Sequence, residues 1–175
     1  MNRQEELLLA MMEYDKSMPK QIQHLMKVHY FAHIIATMEG VDNKTTETLE
    51  TAAILHDIGI REALKKYGSS AGKYQEELGP AEAEPIMEKL GYEKETIDRV
   101  KYLIGHHHTY SHIDGIDYQI LVEADFLVNL FEDNEPEHVA KTVEEKIFKT
   151  AAGKKLLETM FHGTSECGKD RKAEI

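Results

Sequence analysis

The chain has a single cysteine, Cys167. One cysteine excludes an intramolecular disulfide and a zinc site built from thiolates. Positive charge is also scarce: 21 Lys and Arg stand against 32 Asp and Glu, a formal net charge of −11. That balance argues against sequence-nonspecific binding to nucleic acid or to an anionic membrane. No apolar run approaches the roughly 18 residues that span a bilayer. The N-terminal Leu/Ala/Met run is followed by acidic residues and no small-residue cleavage site. It reads as a poor signal peptide, and the cytoplasm is the expected compartment. Strand-type alternation is almost missing, as are internal repeats, low-complexity tracts and domain linkers. With 41% hydrophobic and 30% charged residues over 175 positions, the chain is expected to build one all-α domain around one core.

Helical periodicity places the elements. An amphipathic helix is predicted over 3–15, with Leu7, Leu8, Met11 and Met12 on one side. Pro19 suits the first turn of a second helix, 19–39, which Gly40 ends. Further helices are predicted over 45–58, 61–67, 94–107 and 118–132, and a long last one over 137–160. The acidic stretch 74–90 reads as helical, but interrupted or started at Pro80 and Pro85. The expected division is 1–18 as a helix packing on the core, 19–135 as the functional body, 136–162 as a closing helix and 163–175 as a flexible tail.

Ten histidines are many for this length, and their placement carries information. Ala52-Ala-Ile-Leu55 runs straight into His56-Asp57, and Gly59 reads as the helix stop. Burying a carboxylate beside an imidazole is costly unless something pairs with it, and a cation is the simplest partner. His24 lies on the apolar side of the second helix. His29 and His33 turn about 140° and 180° away from it, so the three cannot share one ion; partly exposed or polar-capped rings are expected there. Asp125 sits between Val122, Ala124 and Phe126 in the most apolar helix, where a carboxylate needs a partner. Three buried helices thus each bring a metal-type ligand: His24, then His56 and Asp57, then Asp125. Two imidazoles and two carboxylates suit a divalent transition ion (Mn, Fe, Co, Ni or Zn) with positions left for water. His106-His107-His108 closes another helix, and one or two of the three can face such a site. Arg61, Lys65, Lys66 and Lys73 make a local basic stretch with Glu62 as the single acid. It is either a solvated face or an anion-binding loop.

These residues resemble the HD-domain metal-dependent phosphohydrolases. His24-Leu-Met-Lys-Val28 matches the family's first ligand helix, Leu55-His56-Asp57-Ile58-Gly59 its defining pair, and Glu123-Ala124-Asp125-Phe126-Leu127 its closing aspartate. The resemblance spans His24 to about Phe131 and implies an all-α HD-type bundle around a buried metal. Binuclear members carry another histidine where this chain has Gln75, and Gln is a poor transition-metal ligand, so one ion is expected. Ile104 then points to His107 as the substrate-side histidine, with His106 and His108 as alternatives. Where some members have a phosphate-touching Lys after the glycine, this chain has Ile60 and then Arg61.

The expected activity is hydrolysis of a small phosphorylated molecule by a metal-activated water. Metal ligands would be His24, His56, Asp57 and Asp125. Asp57, His107 and Arg61 would be catalytic, and Lys73, His106 and Gln75 would contact substrate. A catalytically decayed nucleotide- or metal-binding module and a di-iron HD oxygenase are the rival expectations. No nucleic-acid or membrane partner is expected; the sequence is silent on oligomeric state, though the first and last helices could mediate a homodimer.

Overall fold

The computed structural model describes residues 1–162, and these fold into nine helices with no strand. α1 (Arg3–Tyr14) is opened by a capping box between Asn2 and Glu5 and buries Leu7 and Met11. α2 (Pro19–Glu39) has Pro at its first turn and ends on Gly40 at φ +67°, a left-handed cap. α3 (Asn43–Leu55) is capped by Asp42, whose carboxylate accepts from the Lys44 and Thr45 amides. α2 packs most extensively on α7 (Ile116–Glu132) and on α3. α7 is buried on almost every side. These three helices form the centre of the bundle and carry His24, the His56 end and Asp125. None of the described helices is long and apolar enough to cross a membrane.

The structure corrects three sequence expectations. Gly59 is not a helix stop: its φ is −68°, and it leads directly into α4 (Ile60–Tyr67). Its role is contact. A Cβ there would lie 2.8 Å from both the Gln75 carbonyl oxygen and the Gly79 amide nitrogen. The turn bearing His56 and Asp57 therefore presses directly against α5 (Gly72–Lys89). Gly59→Ala is expected to destabilise the fold by about 1–3 kcal/mol, because neither backbone atom can move aside cheaply. A thermal melt checks this; an unchanged midpoint would show that α5 yields.

α5 runs through both Pro80 and Pro85 rather than breaking or starting there. A proline inside a helix costs about 3 kcal/mol. Here the loss is offset by burial of Gln75, Gly79, Ala83 and Met87 at helical spacing, on a face packed against α4 and α6 (Lys94–Ile104).

The predicted closing helix is two helices, α8 (Glu137–Ile147) and α9 (Ala151–Phe161). Phe148 between them is extended and fully buried. Thr150 then caps α9, its hydroxyl accepting from the Gly153 amide at 2.9 Å. Apolar spacing alone continues across this break and does not mark it. The expected tail, 163–175, lies outside the described residues, as does Cys167.

Candidate metal centre

Four polar side chains converge at the centre of the bundle. His24 Nε2 lies 3.3 Å from His56 Nε2 and 3.2 Å from Asp125 Oδ1. Asp125 Oδ1 is 3.5 Å from His56 Nε2, and Asp57 Oδ2 is 3.6 Å from His24 Nε2. All four are buried, His56 completely. The sequence-predicted ligand set is thus brought together from α2, the end of α3 and α7.

The protons decide what this cluster wants. His56 Nδ1 donates to the Ala53 carbonyl at 2.9 Å, and His24 Nδ1 donates to Glu132 Oε2 at 3.1 Å. A carbonyl or carboxylate oxygen can only accept, so in the neutral rings both Nε2 atoms carry lone pairs. Two such nitrogens and two carboxylates face one point with no donor between them. The arrangement could hold a cation, and orienting an imidazole through its other nitrogen is how proteins prepare metal sites. Without an ion, protons take that place. Burial works to lower the His24 pKa, but the Asp125 hydrogen bond and the Asp57 and Asp125 charges outweigh it and raise the value to about 9. His56 is raised against its burial by the same carboxylates. Burial works to raise Asp57 and Asp125, yet the surrounding imidazoles hold both well below the usual carboxylate range.

The metal-free protein should lose stability as the pH rises. A pKa raised in the fold stabilises it fully below the unfolded value of 6.5 and loses that stabilisation as pH passes about 9. Chelator-treated protein should lose about 3 kcal/mol between those limits, roughly 6–12 °C in Tm. The carboxylates, being lowered, keep their contribution at neutral pH and lose it only in acid. Metal binding needs deprotonated imidazole, so the Tm gain on adding metal should grow over the window in which the metal-free Tm falls. Parallel pH trends with and without metal would contradict this.

A second donor group adjoins the first. Asp57, His107 and His108 bring ligand atoms within 4.8 Å of one another, as His24, His56 and Asp57 do. Asp57 belongs to both, and its Oδ1 is 3.2 Å from His107 Nε2. His107 is oriented like His56: its Nδ1 donates to the Ile104 carbonyl at 2.8 Å, leaving Nε2 inward. Gln75 is buried, and its Oε1 lies 3.3 Å from His107 Nε2 and 3.1 Å from His108 Nε2. Burial and the neighbouring His107 lower the His108 pKa, which keeps that ring neutral and able to ligate. The expectation of one ion rested on Gln75 being a poor ligand; the geometry places an amide oxygen among three further donors at that spot.

Other expected site residues lie elsewhere. His106 turns away: its Nδ1 donates to the Tyr102 carbonyl at 2.7 Å, and its ring stacks on Tyr102. Arg61 donates to the Lys16 carbonyl at 2.6 Å and lies 3.9 Å from Asp15, tying α4 to the turn after α1. The basic stretch is a solvated face. Lys65 pairs with Glu62 and Lys66 with Glu77, while the exposed Lys73 holds its Nζ over the Tyr74 ring. Gly72 packs against the His108 ring, for a Cβ there would meet His108 Cδ2 at 2.6 Å.

The structure adds supporting residues that periodicity did not single out. Gln21 donates to Asp57 Oδ2 at 3.4 Å, and Asn129 to Asp125 Oδ1 at 2.9 Å. Lys27 pairs with Glu132, the carboxylate that orients His24. Gln21 lies three residues before His24, and Asn129 and Glu132 lie four and seven after Asp125. Helical spacing puts each on its ligand's face, and that was the available signal. Tyr118 gave no such signal. It is buried on α7, and its hydroxyl reaches the His106 and Thr109 carbonyls, holding the turn that presents His107 and His108. Glu76 grips the same turn through the His108 amide at 3.0 Å.

No protein-family model matches this chain, and the comparisons with curated proteins and with solved structures found no match.

Proposed function

We propose that this protein is a metal-dependent hydrolase of a small phosphorylated molecule, built as the HD-domain resemblance implies. The observation that carries the reading is the convergence of His24 Nε2, His56 Nε2, Asp57 and Asp125 on one buried point with no proton donor among them in the neutral-imidazole state. A divalent transition ion held there would supply Lewis acidity toward water and a phosphoryl oxygen. The chain's own residues supply the rest. Asp57 presents one oxygen to His24 and the other to His107, so it orients whatever lies between them. His107, once protonated at Nε2, has a proton to give a leaving oxygen. Gln21 at Asp57 and Gln75 between His107 and His108 add neutral hydrogen-bonding groups on the substrate side. Lys73, exposed with its Nζ over the Tyr74 ring, and Arg61, bound to the Lys16 carbonyl, both drop out of the proposal.

A second reading has its own observation. Because Asp57 belongs to both donor groups, two ions can share it, and an iron pair would return the oxidative alternative. Elemental analysis of protein purified without chelator separates the readings, with His56→Ala as the blank. About one ion per chain together with phosphomonoester turnover supports the mononuclear hydrolase. Two ions rich in iron, without turnover, support the oxidative reading. No metal above the blank, after incubation with each of the five ions, removes both.

A further inference from the structure

The other polar face of α2 carries its own cluster, away from the centre. His29 and His33 are one helical turn apart, and Glu50 of α3 reaches between them. Glu50 Oε2 lies 3.6 Å from His29 Nε2, and Glu50 Oε1 lies 2.6 Å from His33 Nδ1. The Glu50 side chain is only 13% exposed. Among the described residues no Lys or Arg is within ion-pair distance of it; its partners there are these two imidazoles. His29 Nε2 is itself buried with no hydrogen-bond partner. Burial works to raise the Glu50 pKa, but the two imidazoles outweigh it and hold the carboxyl below its ordinary value, while the orphaned His29 nitrogen costs free energy.

We propose that His29, His33 and Glu50 form a peripheral site for a divalent transition ion such as Zn²⁺, separate from the central cluster. Two imidazoles at i and i+4 with a carboxylate from a neighbouring helix make a ligand set of the kind Zn²⁺ accepts, with a position open to water. The ion takes the place of the proton that His33 now shares with Glu50, and it gives His29 Nε2 the partner it lacks. His33 is 49% exposed, so its ring can turn to close on the ion and the site is reached from solvent. The consequence is mechanical. Glu50 lies on α3, which ends at His56, and both histidines lie on α2, which carries His24. An ion here clamps together the two helices whose spacing sets the His24–His56 distance.

The test uses Asp57→Asn protein, in which the central donor groups are disabled, titrated calorimetrically with Zn²⁺ alone. About one equivalent of micromolar binding is expected. Adding His33→Ala or Glu50→Gln should each weaken it tenfold or more, and should remove a Zn²⁺-induced rise in Tm of a few degrees. His33 is half exposed, so its truncation leaves the fold intact, and far-UV circular dichroism confirms that. Any residual central ion adds equally to the single and double variants, so their difference reports this site. No uptake by Asp57→Asn protein, or uptake that either added substitution leaves unchanged, overturns the proposal.

Discussion

If the proposed metal-dependent hydrolase reading holds, Asp57→Asn is expected to lower phosphoester turnover a thousandfold or more and to strip the metal from the central site. The two losses share a cause. Asp57 contributes an oxygen to the His24–His56 group and the other to the His107–His108 group. Asparagine keeps the size but removes the charge, and it turns one acceptor into a donor aimed at an imidazole lone pair. Loss of one ligand of four weakens metal binding steeply. Loss of a catalytic group of this kind costs several kcal/mol of barrier, and each 1.36 kcal/mol is tenfold in rate. Metal content by elemental analysis and the rate at saturating substrate are measured on the same sample. His107→Gln serves as the comparison: it should lower turnover while leaving an ion at His24, His56 and Asp125. Metal loss equal in the two variants would mean that the groups form one indivisible site. Undiminished turnover in Asp57→Asn would remove Asp57 from the chemistry.

Why was so much of this centre legible in the sequence? Each candidate ligand violates its surroundings. Asp125 sits in an apolar helix, His56 and Asp57 end a buried one, and His24 lies on the buried side of α2. A charged or polar group in such a place needs a partner, and periodicity says which face it is on. What periodicity does not hold is the direction in which a loop turns. His106, His107 and His108 follow one another, and only the packing of Tyr118 and Glu76 on their turn decides that His107 and His108 face inward. The basic residues from Arg61 to Lys73 failed as a site for a related reason. Charge composition is local, whereas their partners Glu77, Lys16 and Asp15 come from other elements. Gly59 shows the same limit. A glycine after a helix signals a turn, but its real constraint is a neighbour distant in sequence, the α5 backbone at Gln75 and Gly79.

Glu123 extends that logic to stability, and Glu123→Ala should be among the most damaging single changes in the chain. Glu123 is fully buried on α7, two residues before Asp125, and the rule that singled out Asp125 applies to it equally. Its partner, however, is a helix start. Oε1 accepts from the Lys149 amide at 2.6 Å, the Thr150 amide at 2.9 Å and the Gln119 side chain at 2.7 Å, while Oε2 takes the Thr150 hydroxyl. Gly153 makes room, since a Cβ there would lie 2.0 Å from Oε2. A carboxylate at the first turn of α9 also meets the positive end of the helix dipole. Truncation leaves these donors buried and unpaired, a cost of about 3–5 kcal/mol, or roughly 6–20 °C in Tm. Thr150→Ala removes one cap and should cost about 1 kcal/mol. Glu123→Gln, which keeps one acceptor, should fall between them and serves if the alanine variant does not fold. Thermal melts give the order. If Thr150→Ala proves as costly as Glu123→Ala, the hydroxyl rather than the carboxylate holds the α8–α9 break. Central-site metal content, measured well below the melt, should be unchanged in all three, because Asp125 is placed by α7 packing on α2 and α3, not by α9.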